Sequence, residues 1–112
     1  EGHMFTDFFD HNAPPTQRSK DFIAAYEKKT GKKEVNSFVT LGADTYNVLI
    51  DAINRCSSAE DTVCINDEIK KTTNFEGVSG FISIDKNGNA TRSAVIKEIK
   101  GGKAVYKSTV NP

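Results

Sequence analysis

Two cysteines, a run of carboxylate and amide side chains, and one acidic residue inside an apolar helix are where side-chain type and spacing could do chemistry in this chain. Cys56 and Cys64 flank the polar, turn-prone segment Ser57 to Val63. A disulfide requires their Cα atoms within about 7 Å, which a turn of this length between helices permits. It would clip two helices together and imply an oxidising compartment such as a periplasm. Two unpaired thiols in a cytosolic protein are the alternative. A zinc site is the weakest reading, because the C-x₂₋₄-C spacing is absent and no histidine lies nearby.

Asp85-Lys86-Asn87-Gly88-Asn89 has the composition of a calcium loop but not its order. An EF-hand loop needs glycine sixth and a bidentate glutamate twelfth, whereas here glycine is fourth and the twelfth residue is Ile96. Asn87-Gly88 instead predicts a hairpin turn, since this pair tolerates positive φ at both central positions. His3 and His11 have no nucleophile, third ligand or orienting partner placed by spacing, so neither catalysis nor metal binding is expected of them, and no cofactor is expected. Asp44 must be paired or capped if its helix is buried. Gly77 and Gly80 lack the lysine and following helix of a phosphate loop and read as turn residues.

The elements that position these residues follow from periodicity. Glu1 to Phe9 reads as a short strand and Asp10 to Pro15 as a loop. Thr16 then caps a helix from Gln17 to Thr30, with Phe22, Ile23 and Tyr26 on one face and Gly31 as its left-handed stop. Ser37 is expected to cap a longer helix in which Phe38, Leu41, Ala43, Tyr46, Leu49, Ile50 and Ile53 keep near-helical spacing. Val48 and Ala52 widen that stripe, so this helix is predicted to be largely buried. A third helix is expected from Asp61 to Thr72, with Val63, Ile65 and Ile69 inward. Phe81 to Asp85 alternates as a strand, Thr91 to Ile99 supplies a second, and Gly101-Gly102 turns into Ala104-Val105-Tyr106, making a C-terminal β meander. The fold class is α/β: strand, three helices, then the meander.

At 112 residues the chain, 1–112, is expected to be one domain at most. Its 15 basic and 15 acidic residues give a net charge of +0, which removes the simplest argument for a nucleic-acid or anionic-membrane partner. Lys28, Lys29, Lys32 and Lys33 are flanked by Glu27 and Glu34 and read as a solvated helix end. No apolar run approaches the roughly 18 residues of a membrane span. A small α/β enzyme would need a cluster of perturbed ionisable groups, and the sequence offers none. One strand and a meander do not cover so wide an apolar helix, although each apolar face must find a partner layer. The chain is therefore expected to be part of something larger, or to pair with a copy of itself as a homo-oligomer or by strand exchange.

Phe22-Ile23-Ala24-Ala25-Tyr26-Glu27-Lys28-Lys29-Thr30-Gly31-Lys32, then Ser37-Phe38-Val39-Thr40-Leu41-Gly42-Ala43-Asp44, then Thr73 to Gly80 and Ile84 to Asn89, resemble the C-terminal part of periplasmic leucine/isoleucine/valine-binding proteins. These are the type I solute-binding proteins of branched-chain amino-acid ABC importers. The likeness covers nearly the whole chain in order. It implies the C-terminal portion of two α/β lobes joined by three crossovers, incomplete as a stand-alone lobe. Glu1 to about Asp10 would leave the second lobe, the helices would complete the first, and the closing strands would return to the second. The resemblance further implies a periplasmic location, an amino-acid ligand, an ABC permease as partner and no catalytic activity. A ligand-sensing receptor domain of the same fold is the alternative, which a transmembrane segment in the parent gene would favour. Most ligand-holding groups would lie upstream. Phe38 matches a position where the family sets an aromatic against the ligand, with a core aromatic as the competing reading. Ala43 departs from the aromatic often found before Asp44, and the cysteine pair departs from the usual family pattern.

Overall fold

The computed structural model describes residues 1–112. Helix α1, Gln17–Thr30, starts and stops on the expected residues. The Ser19 N–H donates to Thr16 Oγ1 and the Thr16 N–H to Ser19 Oγ, a reciprocal pair that satisfies two otherwise orphaned donors. Gly31 closes the helix at φ 75°, its N–H donating to the Glu27 carbonyl at 2.7 Å.

Helix α2, Ser37–Asn54, is capped by Asn36 rather than by the expected Ser37. Asn36 Oδ1 accepts the Phe38 N–H at 2.8 Å. The Ser37 hydroxyl is drawn away, donating to Asp7 Oδ1 at 2.5 Å. Helix α3, Thr62–Lys70, is capped by Asp61. Val63 was expected to point inward and is 71% exposed. Cys64 is tied to α2's end by its bond to Cys56, and the residue before it is turned about 100° around the helix, away from that contact.

The strands form two antiparallel sheets instead of one continuous meander. Strands β2 (Phe75–Glu76), β3 (Phe81–Ile84) and β4 (Ala90–Thr91) make the first. Strands β1 (Met4–Asp7), β5 (Ala94–Lys100) and β6 (Lys103–Val110) make the second, in the order β1-β5-β6. The single strand expected over Thr91 to Ile99 breaks at Arg92-Ser93 and changes sheet there. The β3–β4 connection also differs from a two-residue hairpin. Asp85 Oδ1 accepts the N–H groups of Asn87 and Asn89, both at 2.9 Å, so a five-residue loop is organised by its own carboxylate. Only Gly88 there has positive φ, 84°. Gly101 and Gly102, at φ 57° and 76°, do make the tight turn between β5 and β6.

The helices and the β2–β4 sheet form one body and the β1-β5-β6 sheet another. Residues 8–15 and Arg92-Ser93 run between them. The molecule measures 52 × 33 × 18 Å, with a radius of gyration of 15.9 Å. A globular chain of this length would have about 13 Å. Only six apolar residues are buried: Phe9, Val35, Ala52, Val78, Ile82 and Val95. The expectation that α2 is largely buried fails within this chain, where Tyr46 is 65% and Leu49 40% exposed. The β2–β4 sheet flanks that stripe, with Ile82 and Ile84 across a groove from Leu41, Val48 and Leu49, without closing over it.

Candidate functional site at the crossings

Asp44 lies in the second turn of α2 and is 3% exposed. Its Oδ1 accepts the Val78 N–H at 2.6 Å, and its Oδ2 accepts the Ser79 N–H at 2.9 Å together with the Ser79 hydroxyl. A carboxylate on α2 therefore holds the loop between β2 and β3, and a buried charge is tolerated because both oxygens are hydrogen-bonded. From the other side, Thr16 Oγ1 donates to the Gly77 carbonyl at 2.8 Å and Ser19 Oγ to the Val78 carbonyl at 2.6 Å. The loop closes on itself through Gly77 N–H to the Gly80 carbonyl at 2.9 Å. A Cβ on Gly77 would meet Asp44 Oδ1 at 2.8 Å, so only glycine fits beneath that carboxylate.

Arg92, in the second crossing, is the cation of this group. Its Nη2 donates to Ser79 Oγ, which in turn donates to Asp44, so the hydroxyl relays positive charge to the buried aspartate. The guanidinium also lies over the Phe8 ring of the first crossing, 5.2 Å from its centroid. Burial pushes the Arg92 guanidinium below its ordinary value, and the nearby Asp44 charge opposes this. Its Nε is buried with no hydrogen-bond partner in this chain.

Asp7 makes a second bridge between the bodies. It accepts the Ser37 hydroxyl from α2, and Lys97 Nζ on β5 donates to its Oδ2 at 2.9 Å. Lys97 also lies 3.8 Å from Asp10. Burial alone would raise the Asp7 carboxyl, but hydrogen bonds from Ser37, Lys97 and the Phe8 N–H outweigh it and hold the group below its usual range.

Two hollows adjoin these contacts. A cavity of about 180 Å³ between the crossings is lined by Phe9, Asp10, Pro15, Ser79, Phe81 and Asn111, among others. A groove of about 490 Å³ runs along α2, lined by Leu41, Val48, Leu49, Ile69, Ile82 and Ile84, with Asp44 and Arg92 also reaching it.

Phe38 stands on the first turn of α2, beside the Ser37–Asp7 bridge, and is 76% exposed. It is not a core aromatic in this chain. Cys56 and Cys64 form a disulfide with Cα atoms 6.1 Å apart, which removes the free-thiol and zinc readings. Phe38 and Cys56 mark opposite ends of α2, about 27 Å of helix, so the disulfide takes no part in any contact Phe38 makes. The disulfide is reinforced by Arg55, whose Nε donates to Glu68 at 2.8 Å across the α2–α3 turn. His3 only extends the β1 ladder, its carbonyl accepting the Ile99 N–H. No group of three or more His, Cys, Asp or Glu side chains is placed to hold a metal ion.

Asp44 was marked by its position in an apolar helix, but its partners were not. Arg92, Asp7 and Lys97 were missed altogether. A lone arginine between two short strands gives no periodic signal, and an aspartate ending a strand reads as an ordinary turn residue.

No protein-family model matches the chain, and no curated protein does. Solved structures do. The chain carries part of the type I periplasmic binding protein fold. Its likeness in sequence is to leucine- and branched-chain-binding members of that class. A leucine-binding protein from Thermotoga maritima is 41% identical with a TM-score of 0.89, covering 100% of this chain and 31% of that one. A branched-chain amino-acid substrate-binding protein from Streptococcus pneumoniae, solved with isoleucine, is 27% identical with a TM-score of 0.80, over 97% of this chain and 30% of that one. A solute-binding protein from R. palustris, in complex with benzoate, has a TM-score of 0.80 over 100% of this chain and 31% of that one, but at 18% identity it shows the fold alone. The chain thus spans about a third of the length of the proteins it matches. These are binding proteins, and no helix here is long and apolar enough to cross a membrane.

Proposed function

We propose that this chain is the C-terminal portion of a periplasmic solute-binding protein that captures branched-chain or related amino acids and presents them to an ABC permease, without catalysis. The 41% identity to a leucine-binding protein across the entire chain carries this reading. The shape supports it: two bodies joined by crossings, with an uncovered groove along α2 that the remainder of a lobe would fill. Such binders enclose their ligand when the lobes close about crossings of this kind. Phe38, exposed beside the crossings, would supply part of the apolar wall against the ligand side chain, the carboxylate and ammonium being held mainly from upstream residues. Benzoate in a structure of the same fold warns that the fold does not choose the ligand, so the amino-acid assignment rests on sequence identity. Isothermal titration of the protein at its full natural length with leucine, isoleucine and valine tests the assignment. Binding of at least one is expected, and absence of heat with all three overturns it.

A further inference from the structure

We propose that Arg92 is the positioning residue of the hinge, the side chain that locks both crossings to the helix-bearing body. The inference rests on reading the molecule as a two-body binder. Two contacts of one guanidinium join three parts of the molecule. It belongs to the second crossing by sequence, lies 5.2 Å over the Phe8 ring of the first, and donates through Ser79 to Asp44 of α2. The loop that carries Ser79 is itself clamped by Thr16 and Ser19 at the start of α1, immediately after the first crossing ends. The two crossings therefore meet at Arg92 and are referred to the same rigid loop. Removing the guanidinium frees Phe8, removes the counter-charge of a buried carboxylate and leaves the Ser37 hydroxyl, on Asp7 and the Phe9 carbonyl, as the remaining side-chain tie from α2.

The purpose of such a lock is to set the resting angle between the bodies, on which the cost of closure depends. Electron spin–spin distance measurements test it in the protein at its full natural length, without ligand. Labels go on Lys29→Cys in α1 and Ser108→Cys in β6, with the native disulfide left oxidised. The parent should show one narrow distance. Arg92→Gln should broaden it roughly twofold or more, and Arg92→Lys, which keeps the charge, should restore most of the narrowing. Phe8→Leu should broaden it as well, and combining it with Arg92→Gln should add nothing further, because both remove the same contact. Unchanged width in Arg92→Gln overturns the proposal, as do additive effects. If Arg92→Gln does not fold, Phe8→Leu decides: parental width overturns the proposal. Because no ligand is present, failure to bind leucine would refute the amino-acid assignment while leaving this result standing.

Discussion

Asp44 and Ser79 are 35 residues apart in sequence and are joined twice, through the Ser79 N–H at 2.9 Å and the Ser79 hydroxyl, on one carboxylate oxygen. The other oxygen takes the Val78 N–H. One side chain of α2 thus organises the loop that both crossings approach.

Replacing that carboxylate should be severe. Asp44→Ala leaves two buried N–H donors and the Ser79 hydroxyl without their acceptor and Arg92 without its counter-charge, and a loss of about 3 to 5 kcal/mol is expected. Asp44→Asn keeps one acceptor oxygen and should lose less. Urea midpoints of the two variants, at unchanged m, give the comparison; equal and small losses would show that the loop is held by other means.

The two glycines of the same loop should fail for different reasons. Gly77→Ala drives a methyl to within 2.8 Å of Asp44 Oδ1 and 2.9 Å of the Gly80 carbonyl, an overpacking cost of about 1 to 3 kcal/mol. A Cβ on Gly80 would meet only Pro15 Cγ, at an ordinary 3.9 Å, but φ is 135°, so Gly80→Ala should cost about 1 to 3 kcal/mol through backbone strain. Asp44→Ala should relieve Gly77→Ala in part, the clash with the Gly80 carbonyl remaining, and leave Gly80→Ala unaffected, which a thermal double-mutant cycle would detect.

Reduction of Cys56–Cys64 should destabilise the protein by about 2 to 3 kcal/mol, the chain-entropy expectation for a loop this short. The Arg55–Glu68 pair spans the same turn and keeps α2 and α3 docked, so far-UV circular dichroism should be unchanged while the melting temperature falls. Loss of helical signal on reduction would mean that the disulfide alone holds α3.

Acid should weaken the bridge between the bodies. The Asp7 carboxyl is held below its ordinary value in the folded state. Its contribution is therefore complete above the ordinary carboxylate range near about pH 4, and is lost as pH falls through the lower folded value. Glu68, bonded to Arg55, and Glu98, bonded to Lys107, are lowered too, so the acid limb has several contributors. Asp7→Asn should flatten this limb between about pH 5 and pH 2, measured as urea stability against pH. Coincident slopes for parent and variant would exclude Asp7 as a contributor.

Phe38→Ala separates binding from stability. At 76% exposure the ring contributes little packing in this chain, so a stability change within about 0.5 kcal/mol is expected, while affinity for leucine should fall. Reduced stability with unchanged affinity would assign Phe38 to packing against another part of the protein.

Much of the fold was legible because its signals are local. Thr16 and Gly31 mark the ends of α1 through groups within four residues of themselves, and Gly101-Gly102 makes its turn through its own backbone freedom. The Cys56–Cys64 pairing was foreseen as one of several options for the same reason, a short polar turn between two helices. The likeness was legible as well, since the order of residues along the whole chain is similar to that of a leucine-binding protein. What the sequence hid was long-range. Ser37 was expected as a cap, but Asp7, 30 residues earlier, claims its hydroxyl. Thr91 to Ile99 reads as one strand, but its first residue and its last six belong to different sheets.

The sequence by itself therefore determined the helices, the turns and the family likeness, because each depends on neighbours along the chain. Only the tertiary structure decided that Asp44, Ser79, Arg92 and Phe8 form one connected group at the crossings. Burial requires the Asp44 charge to be compensated, yet nothing in local periodicity tells which cation will be brought within reach.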